Sequence, residues 1–240
     1  MRILSAYQRQ PGDLDWDGAV NARRISGDFY RMGRHEWVTG QGWHDLASHG
    51  VRTVIDLRNP GEVGRREFDP EVDAAAHGGI QLLNLPLEEP GRERFERIAV
   101  PYMNHPSMYR LVCEEFGPQL RAVFEAMAAA EGNVVIHCSA GRDRTGLVAA
   151  LLLDLAGRRG EIPGQDELAV RGINEWHRVS PRKHPYESHQ DEARLREQIA
   201  SRADALEEFL AWLGGAGEYL RGLGLEPGQL DALRAKALKA

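Results

Sequence analysis

The run from Asn133 to Ala156 constrains the fold of this chain more than any other segment. It begins with the mostly apolar NVVIH, passes through the short polar stretch CSAGRDR, and becomes almost uniformly apolar in TGLVAALLLDLA. The pattern predicts a buried strand at Asn133–His137, after a Gly132–Asn133 turn, and a buried helix at Thr145–Ala156. A covered strand that leads through a short loop into a covered helix is typical of α/β folds with a largely parallel sheet.

Other segments fit the same architecture. Further strands are predicted at Ile25–Tyr30 (a first edge strand), Val51–Leu57 and Ile80–Leu85. Further helices are predicted at Gln41–Ser48, Ser107–Ala130 with a break near Pro118, Asp191–Leu213, Glu218–Leu223 and Pro227–Lys239. We therefore expect residues 1–240 to form one domain, with a central, mostly parallel sheet flanked by helices, a lid-like insertion at about 88–118 and a helical C-terminal region.

Composition narrows the function classes. A net charge of -6 and a pI near 5.9 argue against a nucleic-acid binder, so an anionic substrate needs a local basic site. The two cysteines, Cys113 and Cys138, imply no disulfide framework, and we expect Cys113 in the core. The N-terminus lacks the apolar region of a signal peptide, and no run is long enough for stable membrane insertion. We expect a cytoplasmic location, with export without a cleaved signal left open.

The polar stretch after the Asn133–His137 strand can hold an anion over a cysteine. The thiolate is the reactive form of cysteine, and nearby cations or a helix N-terminus favour it. Cys138 has both, because Arg142 and Arg144 follow it and the next helix starts behind the loop. The backbone N–H groups of 139–144 can form an anion nest, with Gly141 in its tight turn. The Arg144 guanidinium can bind two phosphoryl oxygens at once.

These residues, His137-Cys-Ser-Ala-Gly-Arg-Asp-Arg-Thr-Gly146, resemble the signature of the protein tyrosine phosphatase superfamily. The chain is most similar to the bacterial tyrosine-phosphatase family that includes the secreted mycobacterial and Listeria tyrosine and lipid phosphatases. Those enzymes commonly have Lys-Asp where this chain has Arg142–Asp143. Supporting landmarks follow in family order at 29–31, 54–58 and 214–225, so the resemblance extends from about residue 15 to the C-terminus.

The resemblance implies hydrolysis of phosphotyrosine, with phosphoserine, phosphothreonine or phosphoinositides as further substrates. The partner would then be a phosphorylated protein or a phospholipid. It makes Cys138 the nucleophile of a phosphocysteine intermediate and Arg144 the phosphate ligand that stabilises the transition state. The cup for substrate phosphate and product inorganic phosphate is lined by Ser139, Ala140, Gly141, Arg142 and Asp143. His137 would support the loop from behind, and Thr145 would hydrogen-bond the thiolate. No metal or cofactor is implied, because arginine and backbone N–H groups stabilise the charge.

The proton donor is harder to assign, because the sequence lacks the Trp-Pro-Asp motif that supplies it in many members of the superfamily. Asp56 is our prediction, since it ends a parallel strand at the edge where α/β active sites collect. Its alternative role is to pair with Arg58 or to cap the following turn. For Arg58 itself, a role at the mouth of the site and a purely structural role are equally consistent with the sequence. Asp143, within the loop, is the second candidate; Asp69 and Asp73 are weaker ones.

Two other readings of the sequence stay open. A phosphatase fold can recognise phosphorylated partners as an interaction module with little or no turnover, and a cysteine loop also serves sulfur transfer in rhodaneses. The retained cysteine and arginine disfavour the first, and the His-Cys and Arg-Thr-Gly flanks disfavour the second. His177, His184 and His189 lie in a basic, proline-bearing segment that matches no metal-ligand spacing. We predict a surface loop there, which can also meet an anionic substrate.

Overall fold

The computed structural model describes residues 6–100 and 102–240. The first five residues, part of the N-terminal stretch without a signal-peptide pattern, and Pro101, part of the predicted insertion, lie outside it. None of the described helices is long and apolar enough to cross a lipid bilayer.

Within the described residues, five strands form one sheet in the order β1-β2-β5-β3-β4. They are β1 (Arg23–Ser26), β2 (Phe29–Met32), β3 (Val51–Asp56), β4 (Gln81–Asn84) and β5 (Asn133–His137). Among the described strand pairs only β1–β2 is antiparallel, so the expected mostly parallel sheet is confirmed. Cross-strand partners place Met32, His137, Asp56 and Asn84 at the same edge, where β2, β5, β3 and β4 end.

The described helices are α1 (Gly40–Ser48), α2 (Glu93–Ile98), α3 (Tyr109–Glu115), α4 (Gly117–Ala129), α5 (Asp143–Leu155), α6 (Ile162–Val179), α7 (Glu192–Leu213), α8 (Ala216–Gly222) and α9 (Pro227–Ala237). The predicted break near Pro118 is confirmed, because α3 ends at Glu115 and Pro118 occupies the first turn of α4. The predicted buried helix is α5, which has a nearly continuous buried surface from Leu147 to Leu153.

The two faces of the sheet carry separate apolar cores because successive strand residues point to opposite sides. Phe29, Ile55 and Ile136 face the larger core, which is covered by the helices from α3 onward, with Cys113 buried inside it as expected. Tyr30, Val54 and Val135 face a smaller core closed by α1 and the N-terminal segment around Trp16. Both faces are thus covered, and the strand ends are left to form a site.

The single strand predicted at Ile25–Tyr30 is wrong, because a turn divides it into β1 and β2. Gly27 sits in that turn with φ +52°, and a Cβ there would lie 2.0 Å from the carbonyl oxygen of Lys236. The Lys236 backbone also accepts a hydrogen bond from the N–H of Asp28 at 3.0 Å. A tight turn docked on α9 therefore replaces the continuous strand.

The basic segment predicted as a loop from Trp176 onward is also partly helical. α6 continues to Val179, so His177 is a helical residue, and only the part from Ser180 to Asp191 is irregular. The helix extends this far because the first proline of the segment, Pro181, lies beyond it. His177 is therefore a largely buried helical residue, with its side chain 10% exposed, rather than part of a surface loop.

Candidate active site

Cys138 follows β5 directly, and the loop 139–142 carries the chain to the start of α5. The cysteine is 3% exposed, at the bottom of a cavity of about 380 Å³ that the loop and Arg144 help to line. Gly141 has φ +67°, and a Cβ on it would lie 2.2 Å from the carbonyl oxygen of Met32. Only glycine fits this turn, because the loop passes so close to the end of β2.

The carbonyl groups of the loop point away from the cavity, because groups behind it bind each of them. The donors are the His137 ring to Cys138 O (3.1 Å), Arg34 N–H to Ser139 O (3.0 Å), the Asn21 side-chain amide to Ala140 O (2.9 Å) and the Arg31 guanidinium to Gly141 O (2.8 Å). In a trans peptide the next N–H points opposite to the carbonyl, so the N–H groups of 139–142 point into the cavity. None of them has an acceptor among the residues that the structure describes. The result is a preformed anion nest.

Sequence reasoning expected His137 behind the loop but missed Asn21, Arg31 and Arg34, which also hold the nest from behind. Asn21 adopts φ +57°, the one positive value among described non-glycine residues, and also donates to Ala169 O at 3.0 Å. Arg31 is fully buried, and burial lowers its pKa to about 10, with a further contribution from the nearby Arg23. An arginine inside the apolar β2 run is an unusual choice for a strand interior, and that was the available signal.

Arg144 lies in the first turn of α5, and its guanidinium forms an ion pair with the Glu62 carboxylate. Its Nη1 and Nη2 donate to the two oxygens of Glu62 at 2.5 and 2.7 Å. Burial opposes the charge on Arg144, but the hydrogen bonds and charge of Glu62, with Glu88 and Cys138, raise its pKa. A guanidinium has five N–H donors, so three remain for an anion in the cavity.

Asp56 stands at the carboxyl edge, as expected, but its carboxylate is bound to Arg58. The Arg58 Nε lies 2.9 and 3.1 Å from the two oxygens, and Nη2 lies 2.6 Å from Oδ2. The backbone N–H of Arg58 donates to Oδ1 at 3.0 Å, which caps the turn. Burial alone would raise the pKa of Asp56, but the bonds from Arg58 bring it below the ordinary value. Neither residue is among the described residues that line the cavity.

Asp143 and Arg142 are tied into a network at the side of the nest. The Asp143 oxygens accept from Arg142 Nε at 2.9 Å and from the buried Arg202 at 3.0 Å. The other end of Arg142 binds both oxygens of Glu187 at 2.9 and 3.0 Å. Thr145, predicted to bond the thiolate, has a buried hydroxyl that makes no hydrogen bond within the described part of the chain.

One group of described residues has the composition of a metal site. Ligand atoms of His35, Asp56 and His137 lie within 4.8 Å of one another. The same atoms are engaged in hydrogen bonds: His35 Nδ1 lies 3.1 Å from His137 Nε2, His137 Nδ1 contacts Cys138 O, and Asp56 holds Arg58. Burial lowers the pKa of His137 to about 4, so its ring is neutral and rests behind the loop.

The cavity walls come from segments outside the phosphate-binding loop. Aromatic and apolar side chains form much of the wall: Trp37, Phe68, Tyr102, Met103, Ile173 and Trp176. Cations also line it: Arg34, Arg66, Arg182 and Lys183. His177 and His184 also line it, so the basic segment does meet the place where an anion would bind. Tyr102 and Met103 bring the predicted insertion onto the same wall.

The fold and this site define an α/β protein with an anion nest over a cysteine at the carboxyl edge of its sheet. The sequence model of the tyrosine phosphatase family matches residues 15–239. A tyrosine-protein phosphatase of Nostoc commune is 30% identical over 248 residues, which cover 94% of this chain and 80% of the relative. The chain therefore belongs to the tyrosine phosphatase family, and it is a phosphatase.

Two solved structures are similar to this chain at low sequence identity. P. aeruginosa TpbA is 21% identical, covers 97% of both chains, and has a TM-score of 0.38. Human DUSP28 is 16% identical, covers 79% of this chain and 95% of its own, and has a TM-score of 0.32.

Proposed function

We propose that this protein hydrolyses phosphotyrosine through a phosphocysteine intermediate on Cys138. The proposal is carried by the backbone of the loop. The carbonyl groups of 138–141 are bound from behind the loop, so the N–H groups of 139–142 point toward the space above the sulfur. Such a nest, with Arg144 at its end, stabilises the charge of a transferring phosphoryl group without reorganisation. Cys138 attacks phosphorus, the ester oxygen leaves, and water then releases inorganic phosphate.

The walls of the cavity support an aryl substrate. Trp37 and Trp176 lie with ring centroids 4.6 Å apart, and both line the cavity above the nest. Flat apolar walls favour the ring of phosphotyrosine over the short chains of phosphoserine and phosphothreonine. We propose phosphotyrosine as the preferred substrate. Phosphoserine, phosphothreonine and phosphoinositides, implied by the sequence resemblance, belong in the same substrate panel.

The test is the exchange of one sulfur atom for oxygen. Cys138→Ser should abolish turnover of p-nitrophenyl phosphate and of a phosphotyrosine peptide while retaining phosphate binding. Cys113→Ser, in the core on α3, is the matched control and should keep turnover. An active Cys138→Ser enzyme would refute the mechanism. Tight phosphopeptide binding by the wild type without turnover would instead identify an interaction module, and activity only with thiosulfate and cyanide a sulfur transferase.

A further inference from the structure

Glu88 is not among the described residues that line the cavity, but it contacts Arg144, and the sheet fixes its segment in place. It follows β4, and the backbone before it is bound to the end of β3: the Leu85 N–H donates to Asp56 O at 2.9 Å and the Leu87 N–H to Leu57 O at 3.1 Å. Leu87 is fully buried, which anchors the segment further. Glu88 therefore occupies a set position near the carboxyl edge rather than a free loop tip.

The Glu88 carboxyl group is buried, and its ion pair with Arg144 is too long to be a hydrogen bond. Its side chain is 11% exposed, and Oε1 has no hydrogen-bond partner in residues 6–100 and 102–240. Oε2 lies 3.9 Å from Nη1 of Arg144, beyond hydrogen-bond distance. A buried carboxyl oxygen with no donor is costly as an anion and is relieved by a proton.

Glu62 and Glu88 both approach the Arg144 guanidinium, but their pKa values are shifted in opposite directions. Burial raises the pKa of both, yet the hydrogen bonds and charge of Arg144 bring that of Glu62 below its ordinary value. The pKa of Glu88 stays raised, because burial and the charges of Glu62 and Asp143 outweigh the attraction of Arg144. Neighbouring carboxyl groups whose environments separate them in this way divide into an anion and an acid.

The four aspartates considered as proton donors from the sequence all accept hydrogen bonds from arginines or backbone N–H groups. Asp56 binds Arg58, and Asp143 binds Arg142 and Arg202. Asp69 binds the Arg34 guanidinium and accepts from Arg66 N–H at 2.6 Å. Asp73 caps a turn through the N–H of Ala75. A phosphate dianion arriving on Arg144 adds negative charge beside Glu88, which favours its protonated form further.

We infer that Glu88 is the general acid of this site: it donates its proton to the oxygen of the leaving group. The inference rests on the proposed function, because it needs Cys138 as nucleophile. In the first step the sulfur–phosphorus bond forms, the phosphorus–oxygen ester bond breaks, and the Glu88 proton leaves with the alcohol or phenol. In the second step water attacks phosphorus and gives a proton to the Glu88 carboxylate, the sulfur–phosphorus bond breaks, and the Cys138 thiolate and inorganic phosphate are released.

The test compares Glu88→Gln with Glu89→Gln, a matched change at the exposed neighbouring residue. Rates are measured against pH on aryl phosphates with leaving groups from p-nitrophenol to phenol, and on a phosphotyrosine peptide. Glu88→Gln should lose about 10²-fold in kcat with the poor leaving groups and far less with p-nitrophenol, because only a poor leaving group needs the proton. It should also lose the alkaline fall of kcat, whereas Glu89→Gln should match the wild type.

Further measurements separate the inference from the proposed function and from misfolding. Glu88→Gln should bind inorganic phosphate like the wild type. Glu88→Asp, which keeps a carboxyl group, should keep part of the fall of kcat at alkaline pH. Two results would overturn the assignment to Glu88. One is a loss of kcat in Glu88→Gln that is equal for every leaving group; the other is that Asp56→Asn, instead of Glu88→Gln, loses the fall of kcat at alkaline pH. Trapping a phosphorylated Cys138 from the wild type tests the nucleophile alone, and its outcome does not depend on the result at Glu88.

Discussion

Arg144 and Glu62 form a two-pronged ion pair, with Nη1–Oε2 at 2.5 Å and Nη2–Oε1 at 2.7 Å. The carboxylate orients the guanidinium, but it also places a negative charge next to the anion nest. Orientation helps the transition state, whereas the charge weakens the binding of phosphate in the ground state. The pair thus favours turnover over product retention.

Glu62→Gln should therefore separate catalysis from binding. We expect kcat to fall about tenfold, equivalent to about 1.4 kcal/mol, because Arg144 loses its two-pronged orientation. Inhibition by inorganic phosphate should become stronger, because a negative charge is removed. Steady-state kinetics with phosphate as inhibitor measures both, and Glu67→Gln, exposed on the surface, is the control. Weaker phosphate binding in Glu62→Gln would contradict this account.

Asn21 stabilises the loop at the cost of a left-handed backbone. Its amide donates to Ala140 O and Ala169 O, and its oxygen accepts from Arg23 at 2.9 Å. Asn21→Ala should lower the free energy of unfolding by about 3 kcal/mol, from lost buried bonds and a worse side chain for φ +57°. Asn21→Gly should cost about 1 kcal/mol less, since glycine tolerates that φ. Urea denaturation measures both, and equal losses would show that backbone strain contributes nothing.

The sequence could predict the centre of the site because Cys138, the nest and Arg144 are contiguous and bounded by two strongly apolar elements. It could not predict the residues around them, since those depend on the order of strands. Arg31 reaches the loop only because β2 pairs with β5, and Glu88 lies near Arg144 only because β4 ends at the same edge. Asp56 was correctly placed at that edge, and pairing with Arg58 was one of its two expected roles. The sequence could not choose between them, because the choice depends on side-chain geometry that no periodicity encodes.

Glu36 should make stability depend on pH on the acid side. Its carboxylate binds Arg58 Nη2 at 3.0 and 3.1 Å, Arg34 Nε at 3.2 Å and Gly64 N–H at 2.8 Å. Burial opposes ionisation, but His35 and these donors lower the pKa of Glu36 from 4.5 to about 2. A depressed pKa stabilises the folded state above pH 4.5, and this stabilisation is lost as the pH falls toward 2.

Glu36→Gln should accordingly lower the free energy of unfolding by about 2 kcal/mol at pH 7. The difference from the wild type should shrink between pH 4.5 and about 2, where the wild-type carboxylate itself becomes protonated. Denaturation at several pH values measures the difference, with the exposed Glu93→Gln as control. A difference that stays constant down to pH 2 would show that packing rather than charge is lost.

Trp176 should contribute to the choice of substrate and not to the chemistry. It lines the cavity from α6 and packs on Trp37. Trp176→Ala should raise KM for a phosphotyrosine peptide about tenfold, through loss of aromatic contact worth about 1.4 kcal/mol, and leave inhibition by inorganic phosphate unchanged. Trp212→Ala, partly exposed on α7, is the control. If phosphate inhibition weakened in parallel with peptide binding, Trp176 would be holding the nest in shape, and the preference for an aryl ring would need another source.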